Sequence, residues 1–328
     1  MSQRMDRRDF IKTSLITPAA GALVVHASQD RASAGDVRRN ARPQPGSKAS
    51  LPMGKIKDLQ VSRLLLGGNL LTHFTHSRDL RYVYNLTAHY NTEDKICETM
   101  AVAEAHGVNT LVIHTAPGVV SLLKRYRYQQ GGKIQWIICP TAQVDSDPEG
   151  YKTQVKQLVD EGVDAIYLWG VSSDRFVAEN KVDMIAKAVE IAKEQGVPSG
   201  VGAHDLRVVK ECERNKIAAD FYIKTFHHHY YPSGPKPEEL KGPHSEIPGY
   251  WCKDPQETIE VMKTVEKPWI AFKVMAAGAI PPKNAFRYVF DNGADFVLAG
   301  MFDFEIAEDV LVADAALKQV KRTRPWRA

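Results

Sequence analysis

From residue 51 onward, short apolar runs alternate with longer stretches in which apolar residues recur at helical spacing. Each short run is flanked by glycine or polar residues, and this pattern is typical of buried strands. They predict eight strands: Val61–Asn69, Asn109–Thr115, Ile134–Thr141, Ala165–Gly170, Ser199–Asp205, Asp220–His228, Trp269–Gly278 and Ala294–Gly300. The longer stretches predict eight helices: Thr92–His106, Gly118–Gln129, Pro148–Glu161, Lys181–Gln195, Leu206–Asn215, Asp254–Val265, Lys283–Asn292 and Ala307–Val320.

This strict alternation of strands and helices predicts the fold class. A strand that is followed by a crossover helix pairs in parallel with the next strand. Eight such units within residues 51–328 fit a closed barrel better than an open sheet. We therefore predict one α/β domain, a (β/α)8 TIM barrel, over residues 51–328.

The first 27 residues carry an export signal. Arg7-Arg8-Asp9-Phe10-Ile11-Lys12 matches the twin-arginine pattern, and the apolar run Thr13–Ala27 that follows is too short to span a membrane. We predict a twin-arginine signal peptide over residues 1–27, a periplasmic or secreted protein, and no membrane segment in the mature form. The twin-arginine route carries folded proteins, often with a cofactor already inserted.

Between this signal and the barrel, residues 28–50 are polar and rich in proline, glycine and serine. Such a segment lacks the apolar surface that would order it, and we predict a disordered linker. The whole chain has a net charge of +4. Such a small net charge does not predict a nucleic-acid partner, so the expected partner is a small-molecule substrate.

Histidines concentrate where a TIM barrel carries its chemistry, at the carboxyl ends of the strands. His114 ends the second predicted strand, and His204-Asp205 ends the fifth. An imidazole in such a place suits proton transfer, although a histidine bonded to the backbone is an alternative for His114. Asp205 is equally well interpreted as the cap of the following helix.

The sixth predicted strand ends in three histidines and carries a lysine. If Lys224 faces the barrel interior, His228 lies on its side of the strand, while His227 and His229 share the other side. A His-x-His pair of this kind can chelate a divalent metal. Lys273 in the seventh strand, like Lys224, requires a carboxylate partner or a lowered pKa, so the two amines are candidates for substrate binding or activation.

Several segments resemble the aldo-keto reductase superfamily along nearly the whole domain. They are Met53–Gly67, Gly107–Ala116, Asp164–Gly170, Phe272–Gly278 and Val297–Met301. The resemblance implies a TIM barrel and carbonyl reduction with NADPH through an Asp, Tyr, Lys and His tetrad. It also implies that catalytic groups lie at the carboxyl ends of the strands.

The tetrad positions depart from this family pattern. His114 stands in place of the aspartate, Gly118-Val119-Val120 in place of the tyrosine, Pro140 near the lysine position and Trp169 in place of the histidine. The signature that binds the nucleotide phosphate after the eighth strand is also not evident. We therefore expect NADP to be disfavoured and a divalent metal to be the more plausible cofactor.

A shorter resemblance covers only the sixth and seventh strands. Ile223-Lys224-Thr225 and Phe272-Lys273 with Ala277-Gly278 are similar to the paired-lysine strands of deoxyribose-phosphate aldolase-type enzymes. That resemblance implies a Schiff base on Lys224.

The leading hypothesis is an exported lyase or isomerase, acting in carbohydrate metabolism on a carbonyl-bearing or sugar-like small molecule. Its candidate catalytic residues are His114, His204, Asp205, Lys224, His228 and Lys273, and its candidate metal ligands are His227 and His229. Three alternatives stay open: a divergent NADP-dependent oxidoreductase of aldo-keto reductase type, a Schiff-base aldolase through Lys224, and a non-catalytic sugar-binding barrel.

Overall fold

A computed structural model describes residues 51–75, 77, 80–244 and 251–328 of the chain. The twin-arginine signal at 1–27 and the linker at 28–50 lie outside the described residues and stay predictions.

Eight parallel strands close into a barrel in the order β10-β3-β4-β5-β6-β7-β8-β9, and helices follow the strands on the outside. This confirms the predicted TIM barrel. The barrel strands are β3 (Leu64–Gly67), β4 (Thr110–His114), β5 (Gln135–Cys139), β6 (Ala165–Leu168), β7 (Ser199–Ala203), β8 (Phe221–Thr225), β9 (Trp269–Phe272) and β10 (Phe296–Ala299).

The first predicted strand, Val61–Asn69, divides into two elements. Its start belongs to an antiparallel hairpin of β1 (Met53–Ile56) and β2 (Leu59–Ser62), and only β3 enters the barrel. Ile56 and Val61 of the hairpin pack with the residues that fill the barrel interior. The hairpin therefore covers the end of the barrel where the strands begin.

The helices form the outer layer, and some of them were not predicted. Helices α1 and α2 occupy the segment 70–91, which the pattern left without structure, and α6 directly follows β6. The helices are α1 (Gly68–Leu71), α2 (Tyr82–Tyr90), α3 (Glu93–Ala105), α4 (Val119–Lys124), α5 (Pro148–Asp160), α6 (Gly170–Ala178), α7 (Val182–Glu194), α8 (Leu206–Arg214), α9 (Pro255–Thr264), α10 (Pro282–Asp291) and α11 (Ile306–Lys318). In the described ranges, none of the helices combines the length and apolar character that a membrane span needs.

Alternate residues of the strands fill two separate apolar layers. One layer, with Leu65, Ile223 and Phe296, lies inside the barrel. The other, with Trp136 and Tyr222, lies between strands and helices. Because neighbouring residues of a strand point to opposite faces, this assignment decides which strand-end side chains reach the barrel mouth.

All eight barrel strands end earlier than the pattern predicts, and β8 and β9 do so by the most residues. Strand β8 ends at Thr225 instead of His228, and β9 ends at Phe272 instead of Gly278. In β9 the cause is local, because Lys273 has a φ of 57° and the chain leaves the extended conformation there. The residues beyond both ends consequently form turns at the mouth of the barrel.

Candidate active site

A cavity of about 640 Å³ opens at the carboxyl ends of the barrel strands, within the range typical of small-molecule sites. Most of its lining is apolar, and polar groups enter from several different strands and turns. They include Asn69, His114, His204, His227, Lys273 and Asp309. We call this space the mouth cavity.

His204, directly after β7, is held in the mouth cavity by an aspartate that the sequence did not single out. Asp174 of α6 accepts a hydrogen bond from Nδ1 of His204 at 2.7 Å. Its other oxygen accepts the backbone N–H groups of His204 and Asp205 at 3.0 and 2.9 Å. Because Nδ1 donates to Asp174, the basic, unprotonated nitrogen of His204 is Nε2.

The surroundings keep His204 neutral at ordinary pH. Burial lowers its pKa to about 4, and the charges of Lys273 and Lys224 act in the same direction against the favourable effect of Asp174. Although burial works to raise the pKa of Asp174, its bond to His204 holds that pKa below the usual value. The pair is therefore an aspartate anion that orients a neutral imidazole.

His114 ends β4 and also lines the mouth cavity. Its Nδ1 lies 3.3 Å from the side-chain oxygen of Asn69, and its Nε2 lies 3.5 Å from the hydroxyl of Thr72. Burial lowers its pKa. Since Asn69 Oδ1 can only accept, the proton of this neutral ring lies on Nδ1.

Lys224 and Asp205 do not reach the mouth cavity. Lys224 pairs in register with Ala203 and Ala271, which belong to the layer between strands and helices, so its side chain points outward. Asp205 caps α8 by accepting the N–H of Arg207 at 2.9 Å. The arrangement in which Lys224 would face the barrel interior is therefore not the one observed, because the register of β8 turns Ile223 and Thr225 inward instead.

The three histidines after β8 have different surroundings, although the rings of His227 and His229 are in edge contact. His227 is buried at the mouth cavity, where burial lowers its pKa to about 3. His228 packs its ring against Tyr288 at 5.0 Å, outside the cavity lining. His229 bonds to the backbone oxygen of Cys252, and its ring centre lies 6.2 Å from that of His227.

Asp309, in the first turn of α11, adds a carboxyl to the cavity wall that the sequence did not single out. Burial raises its pKa to about 7, and the nearby carboxylates of Glu305 and Glu308 raise it further. The group is therefore protonated below neutral pH and ionised above it.

This shift predicts the pH dependence of stability. The unfolded chain releases the Asp309 proton near pH 4 and the folded chain near pH 7, so the carboxyl lowers the stability progressively between these values. We expect Asp309→Asn to raise the free energy of unfolding by about 2 kcal/mol at pH 8 and to leave it unchanged at pH 4. Urea unfolding at both pH values measures this, with Glu190→Gln on the exposed face of α7 as the control. An equal effect at both pH values would contradict the assignment.

The turn after β9 presents backbone N–H groups of residues 276–278 at the mouth cavity, where a dinucleotide phosphate would bind. Ala276, Ala277 and Gly278 have φ values of 47°, 59° and 83°, and a methyl group added at Gly278 would meet no atom within 4 Å. Within the described ranges, the N–H groups of Ala277 and Gly278 have no hydrogen-bond acceptor. Consecutive backbone N–H groups in such a turn form a concave anion-binding surface, so the turn fits a phosphate.

Comparison with known proteins places the fold. No family model and no curated protein matches the chain. Among solved structures, a protein of Pseudomonas aeruginosa assigned to the aldo-keto reductases is 17% identical, with a TM-score of 0.54 over 81% of this chain and 94% of the other. An aldo-keto reductase of Bacillus halodurans in its holo form is 12% identical, with a TM-score of 0.51 over 84% and 98%. These likenesses confirm the (β/α)8 TIM-barrel fold.

A further solved structure of the same fold contains NADPH. The protein Gox0644, as a point mutant in complex with NADPH, is 12% identical, with a TM-score of 0.52 over 84% of this chain and 95% of the other. In the parts of the chain that the structure describes, no group of three or more His, Cys, Asp or Glu side chains could hold a metal ion. The expectation of a divalent metal in preference to NADP is therefore wrong. Nε2 of both His227 and His229 is engaged with the backbone of Cys252, His227 accepting its N–H and His229 bonded to its oxygen.

Proposed function

We propose that the barrel is an oxidoreductase that interconverts a hydroxyl and a carbonyl group on a small molecule with NADP(H). The aldo-keto reductase type of barrel and the NADPH-bound neighbour favour this alternative over the lyase or isomerase hypothesis. The mouth cavity provides the room, and the turn at 276–278 provides backbone donors for a dinucleotide phosphate. A bound NADP(H) would supply or accept the hydride.

The observation that carries the proposal is the His204–Asp174 pair at the mouth cavity. When the substrate is oxidised, its hydroxyl proton passes to Nε2 of His204, and the resulting positive charge lies against the Asp174 carboxylate. When the carbonyl is reduced, the same nitrogen returns the proton to the oxygen. His204 thereby replaces the proton donor that the family pattern places at other strands.

Two further side chains assist at the substrate oxygen. Lys273 lies close enough for its charge to lower the pKa of His204, so its ammonium also favours negative charge on an oxygen held beside the ring. His114 reaches the cavity from β4 and orients the substrate hydroxyl through Nε2. The apolar lining around these groups strengthens their electrostatic effects because it excludes water.

Binding of NADPH tests the cofactor directly. We expect saturable enhancement of NADPH fluorescence when the protein is added. Gly278→Ala should weaken NADPH binding about tenfold, because the added methyl group occupies the open space at the turn at 276–278 where the phosphate would bind. The matched control is Gly131→Ala, since Gly131 has a similar φ of 79° and equal open space but lies outside the cavity lining. Absence of binding at millimolar NADPH would refute the proposal.

The other sequence hypotheses receive less support from the placement of residues. Lys224 lies outside the mouth cavity, away from a carbonyl held beside His204, so we do not propose a Schiff base there. Export through the twin-arginine route is retained as a proposal on the sequence alone, and a sugar-like substrate as a proposal on the size of the cavity.

A further inference from the structure

A second cavity of about 510 Å³ lies on the outer side of the barrel. It is bordered by α6, α8 and the start of α9, and by the segment at 241–244. It shares Val171 and His204 with the mouth cavity, so the His204–Asp174 pair lies between the two spaces. We call it the outer cavity.

The central feature of the outer cavity is a buried amine. Lys224 is 1% exposed, and its Nζ donates one hydrogen bond, to the backbone oxygen of Thr225 at 2.7 Å. In the described part of the chain, no carboxylate forms an ion pair with it. An ammonium group that is buried without a counter-ion is unfavourable, so this position calls for a negative charge that the described residues do not supply within ion-pair distance.

Two of the four acidic side chains around the cavity are engaged in ion pairs with cations. Asp205 pairs with Arg207, and Glu257 pairs with Lys210. Asp174 is bound to His204. Asp174 remains an anion beside the neutral His204, and Asp254 lines the cavity as well, but in the described residues neither carboxylate forms an ion pair with Lys224.

Other groups at the cavity also favour an anion. Lys241 and Lys253 line it in addition to Lys224, and six cations face four carboxylates in total. Within the residues described, Nδ1 of His244 is buried and has no hydrogen-bond partner. A ligand with several acceptor oxygens could bond to this nitrogen and to the amine at the same time.

We propose that the outer cavity binds the oxyanion group of a small molecule, of the phosphate class, with Lys224 as its buried counter-charge. The cavity is larger than a phosphate ion alone, so its ligand carries an organic part as well. The site does not depend on the proposed redox reaction. Its occupation would offset the Lys224 charge that acts on His204, and would thereby couple the outer cavity to the mouth cavity.

Titration calorimetry with inorganic phosphate, at constant ionic strength and without dinucleotide, tests this site. We expect saturable binding to the full chain and a rise in melting temperature with phosphate. Lys224→Met should weaken binding at least about tenfold and should melt higher than the parent protein without phosphate, because an apolar side chain replaces an uncompensated charge. Lys187→Met, on the exposed face of α7, is the control and should change neither property.

The outcomes separate this site from the mouth cavity. Phosphate binding that survives Lys224→Met but is lost in Gly278→Ala would overturn the proposal, as would an absence of saturable binding to the parent protein. Acetate that saturates the same site and is sensitive to Lys224→Met would support it with a carboxylate as the anionic group. If Lys224→Met does not fold, His244→Ala should produce the same loss of phosphate binding, and unchanged binding in that variant would overturn the proposal.

Discussion

Asp174→Asn is expected to lower kcat/KM for alcohol oxidation by about 10² to 10⁴. The amide cannot accept both backbone N–H groups and the Nδ1 proton in the way that the carboxylate does, so the ring loses its orientation and its stabilised positive charge. Steady-state kinetics with NADP⁺ and an oxidisable substrate measure this, with NADPH affinity as a separate readout. The dinucleotide affinity should change little, because Asp174 does not line the mouth cavity.

The control for this substitution is Asp145→Asn. Asp145 binds Arg175 of the same helix, α6, and also lies outside the lining of the mouth cavity. The Asp145→Asn substitution should therefore reduce kcat/KM by less than about threefold. If both variants had equal activities, His204 would not depend on its aspartate and the proposed proton transfer would be refuted.

The pH profile provides a second measurement on the same pair. The pKa of His204 is lowered to about 4, so Nε2 is available as a base above that value and is protonated below it. The oxidation rate should therefore be independent of His204 ionisation between pH 6 and 8 and should decline as the pH falls toward 4. A decline centred near pH 6.5, the ordinary histidine value, would contradict the burial of this ring.

Asp295→Asn is expected to lower the free energy of unfolding by about 3–5 kcal/mol. Asp295 is 0% exposed and accepts hydrogen bonds from Arg324 at 2.6 Å and from the backbone N–H of Trp269 at 3.0 Å. Arg324 is itself 1% exposed and also donates to the backbone oxygen of Val265. Removal of the carboxylate charge therefore leaves a buried guanidinium without its counter-ion.

The matched control is Glu266→Gln. Glu266 forms an ion pair with Arg327 at 3.9 Å, but its side chain is 82% exposed, so its loss should cost less than about 0.5 kcal/mol. Urea unfolding compares the two variants. If Asp295→Asn cost as little as Glu266→Gln, the buried pair would not hold the last residues of the chain to the start of β10.

The comparison of sequence and structure is clearest at β8. The alternation along Tyr222, Lys224 and Phe226 was predicted, and these residues do share one side of the strand. The pattern does not state which side faces the barrel, because a lysine between two aromatic residues fits either orientation. The parallel register with β7 and β9 decides this and turns the three residues toward the helices.

The acidic partners of the site were missed for a different reason. Asp174 and Asp309 lie on helices, where an aspartate is ordinarily a solvent-exposed residue. Asp174 is 30 residues from His204 in the chain, so their contact depends on how α6 packs beside β7. The helix itself was not predicted, since the predicted strand ran to Gly170 and the next predicted helix began at Lys181.

The sequence by itself determined the (β/α)8 barrel and the place of His114 and His204 at its mouth. These features follow from local spacing, because strand and helix periodicities are properties of a few consecutive residues, and parallel strands carry their carboxyl ends to one rim. The tertiary structure alone decided that Lys224 faces outward, that Asp174 orients His204 and that His227 and His229 both bond to the backbone of Cys252. Each of these depends on register or on helix packing between distant segments, which no local pattern records.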